Sequence, residues 1–231
     1  MSAAPKPPPV IAVTGLAFEA QIAKGPGVAV VCGGGDGPRT ASALQAAIDA
    51  GTSAILSFGT AGGLAAHLVP GDWVVAEAIM ANAGRWTVDF AWSARLLQKL
   101  PHATHAPIAG VDVPLADAAA KQAWHDRTGA AAVDMESHIA ARLAAAHGLP
   151  FAACRVIVDP ADRMLPPAAL VAMRTDGGVD VAAVLRSLAS HPGQLPALLR
   201  LALDARSARA ALLRGRLALG PGLGFPNFPE L

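Results

Sequence analysis

Three carboxylates stand beside predicted buried elements of this apolar, alanine-rich chain: Asp134, Glu136 and Asp159. Asp134 and Glu136 flank Met135 where an apolar run gives way to a helical pattern, and Asp159 ends the run "RVIV" just before Pro160. An ionised carboxylate is costly to bury without a partner, so such residues need structural pairing or a chemical task. The structural alternatives are a helix N-terminus for Glu136 and turns for the two aspartates. The chemical alternative is acid–base work, because a carboxyl group in an apolar pocket can hold a proton near neutral pH.

The elements that would position these residues alternate between strand and helix. Apolar runs predict strands, and alanine-rich segments with helical composition lie between them. Strands that are apolar throughout indicate a sheet covered on both faces, so we predict an α/β three-layer sandwich with a mixed, mainly parallel central sheet. Ligands in such sheets bind beyond the carboxyl ends of the strands. Glu136 and Asp159 are therefore expected at one sheet edge, facing glycine turns in "VTGLAFEA" and "SFGTAGG".

Composition excludes several classes of protein. The 231 residues suit a single domain, 1–231, with a helical basic C-terminal extension over about 165–231. A formal net charge of +1 and 4% aromatic residues argue against nucleic-acid binding. The Pro-rich start "MSAAPKPPPV" is unlike a signal peptide, and Cys32 and Cys154 sit in apolar runs as reduced thiols would. We expect a cytoplasmic protein.

The C-terminal extension differs from the rest of the chain. Residues 181–220 carry six arginines and one acidic residue, Asp204, among many leucines. One interpretation is a peripheral contact with the anionic inner face of a membrane. The other is a pair of helices packed on the sheet with solvated arginines, because Arg and Leu do not separate cleanly onto opposite faces.

The Gly33–Gly35 loop after a predicted strand invites a dinucleotide-binding interpretation. The G-x-G-x-x-G pattern would need glycine where Pro38 stands, so that interpretation is disfavoured. The loop is either a tight turn or, with Arg39 nearby, a cradle for phosphate or another anion. No G-x-S-x-G elbow is present, so an α/β-hydrolase nucleophile is lacking.

Four motifs together resemble one family. "VTGLAFEA", "FGTAGGL", "VDMES" and "RVIVDPAD" follow the order and spacing of the purine nucleoside phosphorylase and methylthioadenosine/S-adenosylhomocysteine nucleosidase superfamily, over Val10 to Asp162. More narrowly, "CGGGD", "DMESHIAARLAAAHGLPF" and the tail motifs resemble the hopanoid-associated phosphorylase branch.

The resemblance implies cleavage of the N-glycosidic bond of a purine nucleoside. Met135 would pack on the ribose and Glu136 would bind its hydroxyls, while Asp159 would protonate or hydrogen-bond N7 of the leaving base. The segment 111–114, with Val113, would border the base. The hopanoid branch implies that adenine is released from adenosylhopane, whose lipid group needs an open apolar route. Related proteins are homo-oligomers, so the same is expected here.

The nucleophile departs from the family pattern. Hydrolytic members carry a glutamate where this chain has Ala20, and the neighbouring Glu19 is expected to point elsewhere. Thr60 matches the hydroxyl of phosphorolytic members, although Ser57 stands where one of their arginines is often found. We predict inorganic phosphate as co-substrate and no metal or other cofactor. The predicted phosphate site comprises Gly33, Gly34, Arg39 and Thr60, with Glu19 as the reserve base.

Two alternatives stay open. One is a hydrolytic nucleosidase acting on methylthioadenosine or S-adenosylhomocysteine, which the alanine at position 20 disfavours. The other is a non-catalytic module that binds a nucleoside or a lipid.

Overall fold

The computed structural model describes residues 7–172, 174 and 176–228. The strands are β1 (Val10–Thr14), β2 (Val28–Cys32), β3 (Ala54–Gly63), β4 (Trp73–Ala81), β5 (Gly84–Thr87), β6 (Thr104–Gly110), β7 (Ala132–Asp134) and β8 (Phe151–Asp159). The helices are α1 (Ala17–Ala23), α2 (Gly37–Asp49), α3 (Phe90–Lys99), α4 (Ala118–Thr128), α5 (Ser137–Ala146), α6 (Pro167–Leu170), α7 (Val181–Ser190) and α8 (Leu195–Leu219).

All of these strands belong to one sheet, in the order β2-β1-β3-β7-β6-β4-β5, with β8 paired to both β3 and β4. Pairs β1–β2, β1–β3, β3–β8, β4–β6 and β6–β7 are parallel, whereas β3–β7, β4–β5 and β4–β8 are antiparallel. The predicted mixed, mainly parallel sheet is confirmed.

Helices cover both faces of the sheet, and each face has its own core. Side chains of α1, α3 and α8 pack on one face, where the core includes Ile22, Trp92, Leu96 and Leu212. Side chains of α2 and α5 pack on the other face, with Leu44 among the buried residues. The sheet is therefore buried on both sides, as its apolar strands require.

Strand β3 differs from its predicted form. We expected it to break into a glycine turn at "GTAGG", but it runs on to Gly63. Its register with β8 shifts between Ala61 and Gly62, where a second, antiparallel partner begins: Gly62 pairs with Val133 of β7. The extension brings the ends of β3, β7 and β8 together at one edge of the sheet.

The C-terminal region contains α6, α7 and α8. The face of α8 that carries Ala208, Leu212 and Gly215 is buried, whereas α7 has no buried residue. The segment after α8 is held in place, because the indole N–H of Trp92 donates to the carbonyl of Leu223 at 3.1 Å. Within residues 7–172, 174 and 176–228, no helix has both the length and the apolar character needed to cross a bilayer.

Candidate active site

A cavity of about 170 Å³ lies where β1, β3, β7 and β8 end. Its wall combines the backbone around Gly15 and Gly62, apolar side chains and four carboxylate groups. The lining residues are Gly15, Leu16, Glu19, Thr60, Ala61, Gly62, Val111, Pro114, Leu115, Val133, Asp134, Met135, Glu136, Val158, Asp159 and Leu165.

Glu19 is the most heavily hydrogen-bonded carboxylate of the cavity. It lies in the first turn of α1 and is 1% exposed. One oxygen accepts hydrogen bonds from the amides of Gly15 and Leu16, both at 3.0 Å. The other accepts from the Thr60 amide at 2.7 Å and the Thr60 hydroxyl at 2.6 Å. The expectation that Glu19 points away was wrong, because the helix begins at Ala17 and the side chain turns back to the N–H groups that helix starts leave unpaired.

Gly59 permits this close packing around Glu19. A Cβ atom at Gly59 would lie 2.6 Å from a Glu19 carboxylate oxygen and 2.8 Å from the Arg155 guanidinium, closer than real Cβ contacts allow. The glycine therefore lets the backbone of β3 pass directly beside both charged groups.

Arg155 is a fully buried cation at the centre of the site. Its Nε lies 2.9 Å from Asp134 Oδ2 and one terminal nitrogen lies 3.4 Å from Glu136 Oε2. That nitrogen also donates to the Ser57 hydroxyl at 2.6 Å, and the other donates to the Thr60 carbonyl at 3.3 Å. Burial alone would lower the pKa of Arg155, but the neighbouring Asp134 and Glu136 more than offset it, and the net shift is upward.

Asp134 organises the turn into α5, the supporting role predicted for it. Its Oδ1 accepts hydrogen bonds from the amides of Glu136 at 3.0 Å and Ser137 at 2.7 Å, and its Oδ2 accepts from the Ser137 hydroxyl. Since Asp134 takes the capping position, the Glu136 side chain makes no cap hydrogen bond. Glu136 is left to face the cavity.

The Glu136 carboxyl has an altered affinity for protons. Burial raises its pKa to about 7; Arg155 acts in the opposite direction, while Asp134 and Glu19 add to the rise. The side chain also approaches Gly15 closely, because a Cβ atom there would lie 2.8 Å from Glu136 Oε1. Glu136 thus sits between the β1 loop and Arg155 and changes charge near neutral pH.

Asp159 also lines the cavity and is 5% exposed. Its Oδ2 accepts a hydrogen bond from the ammonium of Lys121, which is itself fully buried. Burial raises the pKa of Asp159, and the nearby Lys121 and Arg163 partly oppose that shift.

The base-side prediction needs one correction. Val111, Pro114 and Leu115 line the cavity together with Met135, but Val113 does not. Its side chain is 67% exposed, because the segment after β6 turns between Val111 and Pro114 and directs Val113 outward.

The predicted anion cradle is also not assembled at the cavity. The Gly33 amide donates to the Thr14 carbonyl at 2.8 Å and the Gly34 amide donates to the Gly15 carbonyl at 2.9 Å, so both are used in the turn. Arg39 is an exposed residue in the first turn of α2 and does not line the cavity. Of the predicted phosphate ligands, Thr60 alone reaches the wall, and its hydroxyl binds Glu19.

A second, larger cavity of about 480 Å³ adjoins the first. It lies between α8 and the α6–α7 segment, and its wall is almost entirely apolar. The two cavities share Leu16, Thr60, Val158, Asp159 and Leu165, so an apolar space opens directly beside the polar site. Side chains of α8 that line it include Leu198, Leu201 and Ala202.

Arg155 and Lys121, both buried among the described residues, were not predicted as site residues. The first had a visible signal: an arginine inside the apolar run "AACRVIV" must be paired when the strand is buried on both faces. Lys121 had none, because it stands in a helix rich in polar residues where a lysine normally faces solvent.

Comparisons with known proteins agree with this architecture. The sequence profile of the phosphorylase superfamily matches residues 7–190. Methylthioadenosine/S-adenosylhomocysteine nucleosidases of Helicobacter pylori, with butyl-thio-DADMe-Immucillin-A, and of Neisseria meningitidis, with methylthio-immucillin-A, both superpose with a TM-score of 0.67 at 14% identity. The alignments cover 92% of this chain and 96% of the first, and 90% and 96% for the second.

A third solved structure is a futalosine hydrolase mutant of Helicobacter pylori, with a TM-score of 0.58 at 16% identity over 67% of this chain and 91% of the other. No curated protein sequence matches the chain significantly.

Proposed function

Since the chain belongs to the phosphorylase superfamily, we propose that it cleaves the N-glycosidic bond of a purine nucleoside and releases the base. One observation carries the proposal: a single cavity is lined by both Glu136, which pairs with the buried Arg155, and Asp159, which pairs with the buried Lys121. A ribose needs a carboxylate that accepts from its hydroxyls, and a departing purine needs a proton donor.

The Glu136 end of the cavity suits the sugar. Cleavage passes through a cation-like sugar, as in glycoside hydrolysis, and a carboxylate beside it is stabilising. Glu136 would accept hydrogen bonds from the ribose hydroxyls, and Met135 would pack against the sugar face. Arg155 fixes the carboxylate in place, since it is itself held by an ion pair with Asp134 and a hydrogen bond to the Ser57 hydroxyl.

The Asp159 end suits the base. As the glycosidic bond breaks, its electron pair moves into the purine, and a proton delivered to N7 makes the base a better leaving group. Asp159 would supply or share that proton. Its burial favours the protonated form, and this direction supports the role.

Water is the nucleophile that the geometry favours over phosphate. Among the described residues that line the cavity there is neither Lys nor Arg, and Glu19 takes the Thr60 hydroxyl and amide that a phosphate would need. The site has three carboxyl groups near one guanidinium group: Glu19, Asp134 and Glu136 beside Arg155. An incoming phosphate would therefore be repelled by the excess of negative charge. A water molecule beside Glu19 would instead form the bond to C1′ and give its proton to that carboxylate. Phosphorolysis, which the sequence favoured, is the alternative that experiment must exclude.

The second cavity supports a nucleoside with a large apolar group on the ribose. A soluble nucleoside fills only the polar site, whereas an adenosylated hopanoid could extend its lipid into the adjoining 480 Å³ space. Burial of apolar surface there would contribute about 25 cal/mol for each Å² removed from water. We therefore propose adenosylhopane as substrate and methylthioadenosine as the soluble alternative.

The outer face of α8 supports peripheral contact with an anionic membrane, from which such a lipid would be drawn. Leu199, Leu203 and Leu217 are 59%, 65% and 81% exposed on this helix. Arg200 and Arg214 are also exposed, which complements anionic headgroups.

Adenine release by the purified protein tests the proposal directly. We expect release from methylthioadenosine and faster release from detergent-dispersed adenosylhopane, with Glu136→Gln as a folded, nearly inactive control. A non-catalytic binding module would instead bind these nucleosides without releasing adenine from either.

A further inference from the structure

Lys121 is unusual for its position in the fold. It is the one buried residue of α4, a helix whose other side chains reach solvent, and it is 0% exposed. All three ammonium hydrogens have acceptors: Asp159 Oδ2 at 2.5 Å, the Pro160 carbonyl at 2.9 Å and the Arg163 carbonyl at 3.0 Å. A buried ammonium is tolerated only when it is paired and hydrogen-bonded in this way.

The arrangement ties α4 to the end of β8. Two of the acceptors are carbonyls of the segment that follows the strand, and the third is the carboxyl group that lines the cavity. Asp159 is confined on another side by β3, since a Cβ atom at Gly62 would lie 3.3 Å from both carboxylate oxygens. Lys121 therefore fixes the side-chain rotamer of Asp159 through Oδ2.

We propose that Lys121 is the positioning residue of the leaving-base half of the reaction, and that it acts through Asp159. This inference rests on the proposed function. By holding Oδ2, Lys121 leaves Oδ1 for N7 of the purine. In the reaction the C1′–N9 electron pair enters the base, the Asp159 proton passes to N7, and water forms the new bond to C1′ and gives a proton to Glu19. Lys121 keeps its own protons and stabilises the Asp159 carboxylate that forms.

The test compares two leaving groups. Methylthioadenosine needs protonation of its base, whereas nitrophenyl riboside releases a phenolate without it. For Lys121→Met we expect kcat on methylthioadenosine to fall about 100-fold with KM within about threefold of wild type, and a loss on nitrophenyl riboside that is at least about tenfold smaller. Lys24→Met, which removes an exposed lysine, is the matched control.

Lys121→Met alone leaves Asp159 buried without its cation, which destabilises the fold. A double variant therefore separates an effect on the reaction from an effect on folding. Lys121→Met/Asp159→Asn removes both charges, and it should be no slower than Asp159→Asn, since Lys121 acts through the missing carboxyl group. An additional loss in the double variant, or equal losses on both leaving groups, would overturn the positioning role. A wild-type protein that releases adenine from neither methylthioadenosine nor adenosylhopane would instead refute the proposed function itself.

Discussion

The polar cavity beside Glu19 and the adjoining apolar cavity beside α8 differ in the side chains that form their walls. In the polar cavity, Glu19, Arg155 and Asp159 are each buried and held by partners at 2.5–3.4 Å. In the apolar cavity, the walls are mostly aliphatic side chains, and the adjoining helix α7 has no buried residue. Under the proposed function, the preorganised charges would break the glycosidic bond, whereas the apolar space would decide which substituent on the ribose is admitted. Variants of the polar cavity should therefore slow every nucleoside, and variants of the apolar cavity should alter selectivity.

The largest effect is expected from Asp159→Asn. The amide cannot deliver a proton to N7, so kcat for adenine release should fall about 1000-fold on both soluble and lipid-linked nucleosides. Adenine release followed by chromatography measures this, with the exposed Asp162→Asn as matched control. A loss of activity on the lipid-linked nucleoside alone would contradict the separate roles proposed for the two cavities.

Glu19→Gln is expected to have the second-largest effect on kcat. It removes the negative charge beside the proposed water, so kcat should fall about 100-fold on all nucleosides while the protein still unfolds cooperatively. Glu77→Gln on the exposed side of β4 is the control. If Glu19→Gln became active only when phosphate was added, the charge at Glu19 would be what excludes phosphate from the wild-type site.

The pH dependence should follow Glu136. Its pKa is raised to about 7, so below that pH the carboxyl is neutral and kcat/KM should fall about tenfold per unit as pH decreases. The raised pKa of Glu136 also fixes the direction in which the free energy of unfolding changes with pH. Between the ordinary glutamate pKa of 4.5 and about 7 the folded state binds more protons than the unfolded state, so the free energy of unfolding should decrease as pH rises through that window. A rate profile without this acidic limb would remove Glu136 from the ribose site.

Selectivity should change when the apolar cavity is filled. Ala202 lines that cavity on α8, so Ala202→Trp should lower kcat/KM for adenosylhopane about tenfold and leave methylthioadenosine within about twofold. Ala43→Trp, at an exposed alanine of α2 that lines neither cavity, is the matched control. Equal losses on both substrates would mean that the apolar space does not receive the lipid.

The smallest effect is expected at the membrane face. Leu199→Gln/Leu203→Gln should weaken cosedimentation with phosphatidylglycerol vesicles about fivefold, with methylthioadenosine turnover retained. Phe90→Gln, an exposed aromatic on α3, controls for loss of surface hydrophobicity. If the leucine variant instead converted a dimer to a monomer in sedimentation velocity, this face would be a subunit interface.

The sequence predicted the scaffold well because its signals are local. Apolar runs and alanine-rich helices are read from neighbouring residues, and Glu136 and Asp159 were found because strand ends of a parallel sheet converge. The direction of Glu19 was mispredicted, since it depends on the residue at which α1 begins. Lys121 and Arg155 depend on tertiary partners that no local pattern encodes.

Adenine release with and without inorganic phosphate, in oxygen-18-labelled water, distinguishes water from phosphate as the nucleophile. We expect release that is independent of phosphate, with the label at C1 of a free ribosyl product. Release that requires phosphate and yields an unlabelled sugar 1-phosphate would contradict it, and would mean that Glu19 gives up Thr60 to an incoming phosphate.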